Sequence, residues 1–259
     1  MRIFLSLMVA MLGLNSANAQ TAEQKGYAIM QRQAQVDEGW QSELSQGQMV
    51  LYTSGGTVQR SFSAERLEQG AGNLSKFTFH GPADVKGTVL LSHSKTEPTP
   101  DMQWLFLPSI QRVKRIASGN RKGSFMGSEF SFEDLTGYEL NDSKYKWVAD
   151  QACPGAAQSK CYVVEAYPLN RDSAYSKRVI WVDQQYFRPF QIDYYNRGGQ
   201  FMKRLNYAGY AVFLQRFWRP GRLTMQNAQT GKRTDMVWSG YRLQSGIAAS
   251  QFEPQRLGR

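Results

Sequence analysis

Histidine is scarce in this chain, and so is the chemistry it usually brings. His80 and His93 are the only two in 259 residues, and neither falls in a metal spacing such as H-x-x-x-H. No G-x-S-x-G turn presents a nucleophilic serine. Two histidines also leave little room for a Ser-His-Asp arrangement assembled from distant parts of the chain. Glu129, Glu133 and Asp134 form the one tight acidic cluster. Paired carboxylates can run glycoside hydrolysis, but with Arg112, Lys114 and Arg115 nearby they read more readily as solvated ion pairs. The expectation is a protein that is not an enzyme and carries no metal and no cofactor.

Cysteine is equally sparse. Cys153 and Cys161 are the only pair, without the C-x-x-C spacing of thiol redox chemistry. Two thiols this close read as a disulfide closing a short loop, worth about 2.5 kcal/mol in the chain-entropy model. Long apolar runs are missing as well. After residue 19 nothing approaches the ~20 apolar residues needed to span a bilayer. No repeat period, low-complexity linker or composition shift divides the chain.

What is present begins at the N-terminus. Met1 and Arg2 precede an apolar run over residues 3–14, then Asn15-Ser16-Ala17-Asn18-Ala19. A charged start, a short apolar run and a small-x-small site predict a signal peptide over residues 1–19, cleaved before Gln20. No cysteine follows the cut to accept a lipid, so the expected product is soluble and untethered outside the cytoplasm. Export argues against nucleic acid, nucleotide chemistry and cytosolic cofactors. The net charge of +10 then points to an anionic membrane surface, an acidic protein partner or simply a solvated basic face.

Aromatic residues make up 13% of the chain, which favours strands. Residues 21–36 lack proline and place Tyr27, Met30 and Ala34 at helical spacing, predicting one helix that ends near Gly39. Beyond it, alternation marks strands at Met49–Leu51, Val58–Ala64, Phe77–Phe79, Val89–Leu91 and Trp104–Leu107. Further strands follow at residues 178–182, 190–195, 201–207, 222–226 and 235–241. Turn signals every 8–12 residues suit a barrel or sandwich. The simplest architecture is a mainly β domain over residues 20–259: one strongly curved antiparallel sheet with the N-terminal helix over an opening or face. Residues 250–257 read as a short closing segment.

The densest pattern is Asp101-Met-Gln-Trp104-Leu-Phe106-Leu-Pro108, then the basic strand Arg112-Val-Lys-Arg115-Ile116, then Gly119-Asn-Arg-Lys-Gly123 and Ser124-Phe125-Met126-Gly127-Ser128. A strand apolar on both faces needs cover on both, either a ligand cavity or a helix or loop. Phe125 and Met126, on a glycine-bounded loop, suit a flexible apolar contact or a core plug.

Trp104-Leu-Phe-Leu-Pro108, Arg112, Arg115-Ile116, Ser124-Phe125-Met126-Gly127-Ser128 and Phe130-Ser131-Phe132-Glu133-Asp134 resemble one family. They are similar to the outer-membrane lipoprotein-sorting (LolA-like) proteins, in the branch written W-L-Y-L-P…R-R-I…S-F-M-G-S-D-F-S-Y-E-D. Phe106 and Phe132 replace tyrosine and Glu129 replaces aspartate. The resemblance implies an incomplete β-barrel wrapped around an apolar cavity and covered by helices or loops. It implies a periplasmic carrier of lipid or lipoprotein acyl chains. It also implies a resistance–nodulation–division-type exporter or an outer-membrane acceptor as partner. On that reading Trp104, Phe106, Phe125 and Met126 form the wall and mouth of the cavity. Arg112 and Arg115 meet an anionic head group, or else pair with Glu129, Glu133 or Asp134. The alternative is a non-carrier interaction or sensor module with a filled core, assisting a membrane exporter.

Overall fold

A computed structural model describes residues 20–96, 101–137 and 139–258; the expected signal peptide lies outside them. Thr21 sets the first element. Its hydroxyl accepts from the Gln24 backbone N–H at 3.2 Å, and the Gln24 side chain accepts from the Thr21 N–H at 3.0 Å. This reciprocal cap satisfies two otherwise orphaned donors and starts α1 (Ala22–Val36). Gly39, at φ 96°, turns the chain out of it.

Fifteen strands follow among the described residues. The first six are β1 (Ser42–Thr53), β2 (Gly56–Leu67), β3 (Leu74–Gly81), β4 (Val89–His93), β5 (Met102–Leu107) and β6 (Arg112–Ile116). After a long connection come β7 (Ser143–Cys153), β8 (Ala156–Pro168), β9 (Tyr175–Asp183), β10 (Pro189–Asn196) and β11 (Phe201–Ala208). The last four are β12 (Ala211–Phe213), β13 (Phe217–Arg219), β14 (Arg222–Asn227) and β15 (Arg233–Leu243). Thirteen of them form one antiparallel sheet in the order β6-β5-β4-β3-β2-β1-β15-β14-β11-β10-β9-β8-β7, and β12 and β13 make a separate ribbon.

Two meanders thus run outward from a central seam, where β1 pairs with β15. The sheet does not close: β6 and β7 are its two free ends. These ends are consecutive in the chain, so residues 117–142 have to pass from one edge of the sheet to the other. A connection of that length with only short 3-10 turns and one isolated bridge among its described residues is uncommon and usually functional.

Side chains alternate between the faces, and the inner face carries the main core. Met49, Phe62, Phe79, Leu90, Val164, Val182, Tyr194, Met225 and Met236 are all buried there. A second, smaller cluster lies on the outer face, where Phe252 and Leu257 of the C-terminal segment cover Val89 and Leu91, with Trp104 and Phe106 against them. Residues 250–257 therefore form short 3-10 turns that seal the outside of β4 and β5. The strand apolar on both faces is covered on both by the protein itself.

Helix α1 lies along β7. Gly26 approaches so closely that a Cβ there would fall 2.6 Å from the Trp147 backbone nitrogen. Lys25 sits 3.4 Å from the centroid of the Trp147 ring. The hairpin of β7 and β8, absent from the expected strands, is tied by the Cys153–Cys161 disulfide with Cα atoms 5.0 Å apart, within the usual span.

Candidate functional site

The connection from β6 to β7 folds into the concave side of the sheet and fills it. At its centre the Phe125 N–H donates to the Phe130 carbonyl at 2.7 Å. The reversal between them runs through Met126 at φ 51° and Gly127 at φ 74°. Ser124 Oγ donates to the Ser128 carbonyl at 2.6 Å, and Ser128 Oγ to the Phe125 carbonyl at 2.7 Å. Ser-Phe-Met-Gly-Ser is thus a turn that satisfies its own polar groups, which a buried turn needs. Phe125 is wholly buried and its ring lies 5.6 Å from that of Phe79 and 5.5 Å from that of Phe132. Met126 is half-buried against the same core.

Polar clasps hold this loop to strands on both sides. Arg60 of β2 donates to the Met126 carbonyl. Gln103 of β5, fully buried, donates to the Phe132 carbonyl at 2.8 Å. Arg121 pairs with Asp101 at 2.7 Å. On the far side, Asp134 accepts from Lys203 Nζ at 2.5 Å and from the Tyr175 hydroxyl at 2.7 Å. The Lys203 and Asp134 side chains are only 3% and 1% exposed. Glu133 accepts from the Ser173 hydroxyl and the Ala174 N–H. Glu129 donates its N–H to Thr234 Oγ1 at 3.0 Å and accepts from Asn227 at 2.8 Å.

The acidic cluster is therefore the fastening of the loop, and none of its members pairs with Arg112 or Arg115. Those two cations are exposed on β6 and make no ion pair among the described residues. Of the other expected site residues, Phe125 and Met126 lie inside. Trp104 and Phe106 point outward beneath the C-terminal segment, while Leu105 and Leu107 of the same strand face the core. Arg60, Lys203 and Tyr175 were missed. Their signal is phase: Arg60 alternates in step with Phe62 and Ala64, and Lys203 with Leu205, so both cations occupy inward positions of their strands.

Beside the loop a cavity of about 40 Å³ is lined by Asp101, Arg121, Glu133, Asp142 and Arg178 among others. Burial pushes the Asp142 carboxyl up to about 6, with Asp101 adding to the rise and the Glu139 N–H opposing it. A cleft of about 520 Å³ opens at the rim between Lys95, Met102, Arg115 and Ser118. His93 Nε2 lies 2.8 Å from the Phe252 carbonyl and therefore donates to it. Burial lowers the His93 pKa. His80 Nε2 lies 2.8 Å from Ser63 Oγ on an exposed face. Among the described residues no three metal-ligating side chains gather, and no helix is long and apolar enough to cross a membrane.

A solved domain from Vibrio parahaemolyticus, described as a candidate outer-membrane lipoprotein-sorting protein domain, is 36% identical to this chain. It matches over 91% of this chain and 99% of its own length, with a TM-score of 0.88. The chain belongs to the outer-membrane lipoprotein-sorting, LolA-like family. A family model described only as that of an uncharacterized protein matches residues 72–259. A DUF1329 family protein from Desulfovibrio piger is 26% identical over 92% of this chain and 99% of its own, with a TM-score of 0.86. A LolA superfamily protein from Nitrosomonas europaea, 19% identical over 91% and 98%, shares the fold at a TM-score of 0.67. Comparison with curated proteins found no match. The LolA-like half-barrel is a lipoprotein-sorting type of fold, and in this member its interior is occupied by the chain's own loop.

Proposed function

We propose that the protein is a periplasmic carrier that shelters an acyl chain of a lipid or lipoprotein against the concave face of its sheet. The observation that carries this reading is the interior loop. A continuous apolar surface is filled by a segment that belongs to none of the sheet's strands, fastened through polar groups at its ends and turn. Withdrawal of Phe125, Phe130, Phe132 and Met126 would uncover Phe62, Phe79, Leu105 and Met236. An acyl chain on that surface gains about 0.8 kcal/mol per CH₂ removed from water. In this reading Phe125 and Met126 are the stand-in for cargo rather than its contacts. The similarity to a candidate lipoprotein-sorting domain and the disulfide, which suits an oxidising compartment, support the class and the location.

The test is a titration of delipidated protein with a fluorescent fatty acid, beside native mass spectrometry of freshly purified protein. Saturable uptake is expected, and Arg60→Ala, which frees the Met126 carbonyl, is expected to take up the probe faster. No uptake by either protein, with no copurifying lipid, overturns the carrier reading. The filled interior also favours a second reading, a non-carrier module that assists a resistance–nodulation–division-type exporter. Lipid-free protein that captures one stoichiometric membrane partner would establish it.

A further inference from the structure

We infer that β6 is a docking edge for an extended acidic segment of a partner protein, which adds to the sheet as a fourteenth strand. Two independent observations meet there. The first is geometric. β6 ends the sheet, and no described residue pairs with its outer side, so a row of backbone donors and acceptors is left for another strand. The opposite end is different, because α1 lies along β7.

The second observation is charge. Arg112, Lys114 and Arg115 are all exposed, and among the described residues none of them makes an ion pair or side-chain hydrogen bond. Val113 between them is 38% exposed, and Ile110 just before the strand is 46% exposed. A second copy of this chain does not fit, because β6 against β6 sets cations directly across from cations. A bilayer answers the charge but leaves the backbone row unpaired. An acidic strand answers both, as in strand addition to a sheet edge. Lysine and arginine on an edge deter indiscriminate pairing; here the same charges that repel a like strand select an acidic one.

Register gives the pattern. Arg112 and Lys114 share the face of Leu107 and Leu105, and Val113 and Arg115 share the face of Phe106 and Trp104. An antiparallel partner therefore reads acid-acid-apolar-acid along its own direction. The probe is a fluorescein-labelled peptide with Glu-Glu-Val-Glu at its centre and threonines on both sides, followed by anisotropy on the mature protein. Saturable binding is expected. The triple variant Arg112→Glu, Lys114→Glu, Arg115→Glu should bind it at least tenfold more weakly and accept the Lys-Lys-Val-Lys counterpart instead. Should that variant misfold by circular dichroism, Lys114→Glu alone should still weaken binding severalfold. A peptide with proline in place of its valine cannot extend the ladder and should bind at least fivefold more weakly. Equal binding of the proline peptide overturns the proposal by reducing it to charge attraction. Binding to phosphatidylglycerol vesicles with no binding of the peptide overturns it in favour of a membrane face.

Discussion

Asp142 sits at the 40 Å³ cavity with its carboxyl pushed up to about 6, chiefly by burial. The unfolded chain holds the same group near 3.8. Between those values the folded state binds the extra proton, so this group adds stability as pH falls from 7 towards 4 and subtracts it above 6. Asp142→Asn keeps an acceptor for the Glu139 N–H and removes the charge. Discounted for solvent screening, it is expected to be more stable than wild type at pH 7 by about 1–2 kcal/mol and equal to it near pH 4. Urea unfolding at the two pH values measures this. His93 works the other way. Its lowered pKa removes stability as pH falls below 6.5, so the difference between variant and wild type, not either curve alone, isolates Asp142. At this scale the chain showed which residues were unusual, but not their partners. Phe125 and Met126 stood out because glycines bracket them. Arg60 and Lys203 did not, because an inward-phase cation has meaning only once the groups across the sheet are known.

Helix α1 and strand β7 meet without side chains between them at Gly26. An alanine there gains about 1 kcal/mol of helix propensity but drives its Cβ to 2.6 Å from the Trp147 nitrogen and 2.8 Å from Lys146 backbone atoms. Overpacking costs about 1–3 kcal/mol, and a Cβ under 3 Å from three backbone atoms falls in the upper part of that range, about 2–3 kcal/mol, so the steric effect wins. Gly26→Ala is expected to lower stability by about 1–2 kcal/mol in thermal or urea unfolding, opposite to the sign that propensity alone gives. The start of the helix is legible to within a residue, because Thr21 and Gln24 form its cap locally; its last helical residue, Val36, falls short of Gly39, where the turn out of it is made. The hairpins around residues 184, 197 and 230 are legible for the same reason, since turn residues act over a few positions. The β7–β8 hairpin is not: its outward face is so exposed that apolar alternation is faint, and two cysteines eight residues apart read as the ends of a loop. The ribbon of β12 and β13, three residues each, is too short to show a period. The motif over residues 101–134 contains the interior loop together with Trp104, Phe106, Arg112 and Arg115, which lie outside it; the loop's path across the concave face follows from strand order, which no local pattern encodes.

The whole molecule has one covered end and one open end. This limits self-association in a way that can be measured by mixing. Wild-type protein should not pair through β6, because like charges face each other. An equimolar mixture with the Arg112→Glu, Lys114→Glu, Arg115→Glu variant turns every such repulsion into an attraction. Sedimentation velocity is expected to show a heterodimer that neither protein forms with itself and that salt weakens. Assembly should stop at two, because β7 lies under α1 and offers no second edge from which to grow.

The loop inside the sheet is a ligand supplied by the same chain, present at a fixed effective concentration however dilute the protein. Any acyl chain that enters must compete with it, and its apparent affinity is the intrinsic affinity scaled by the fraction of molecules whose loop is already out. On the carrier reading, delivery would need no weaker contact between wall and cargo. It would need only that Phe125 and the clasps at Arg60 and Lys203 reclaim the surface. On the carrier reading, a protein of this build would pass cargo on by rebinding its own loop, and the strength of its clasps would set how readily it lets go.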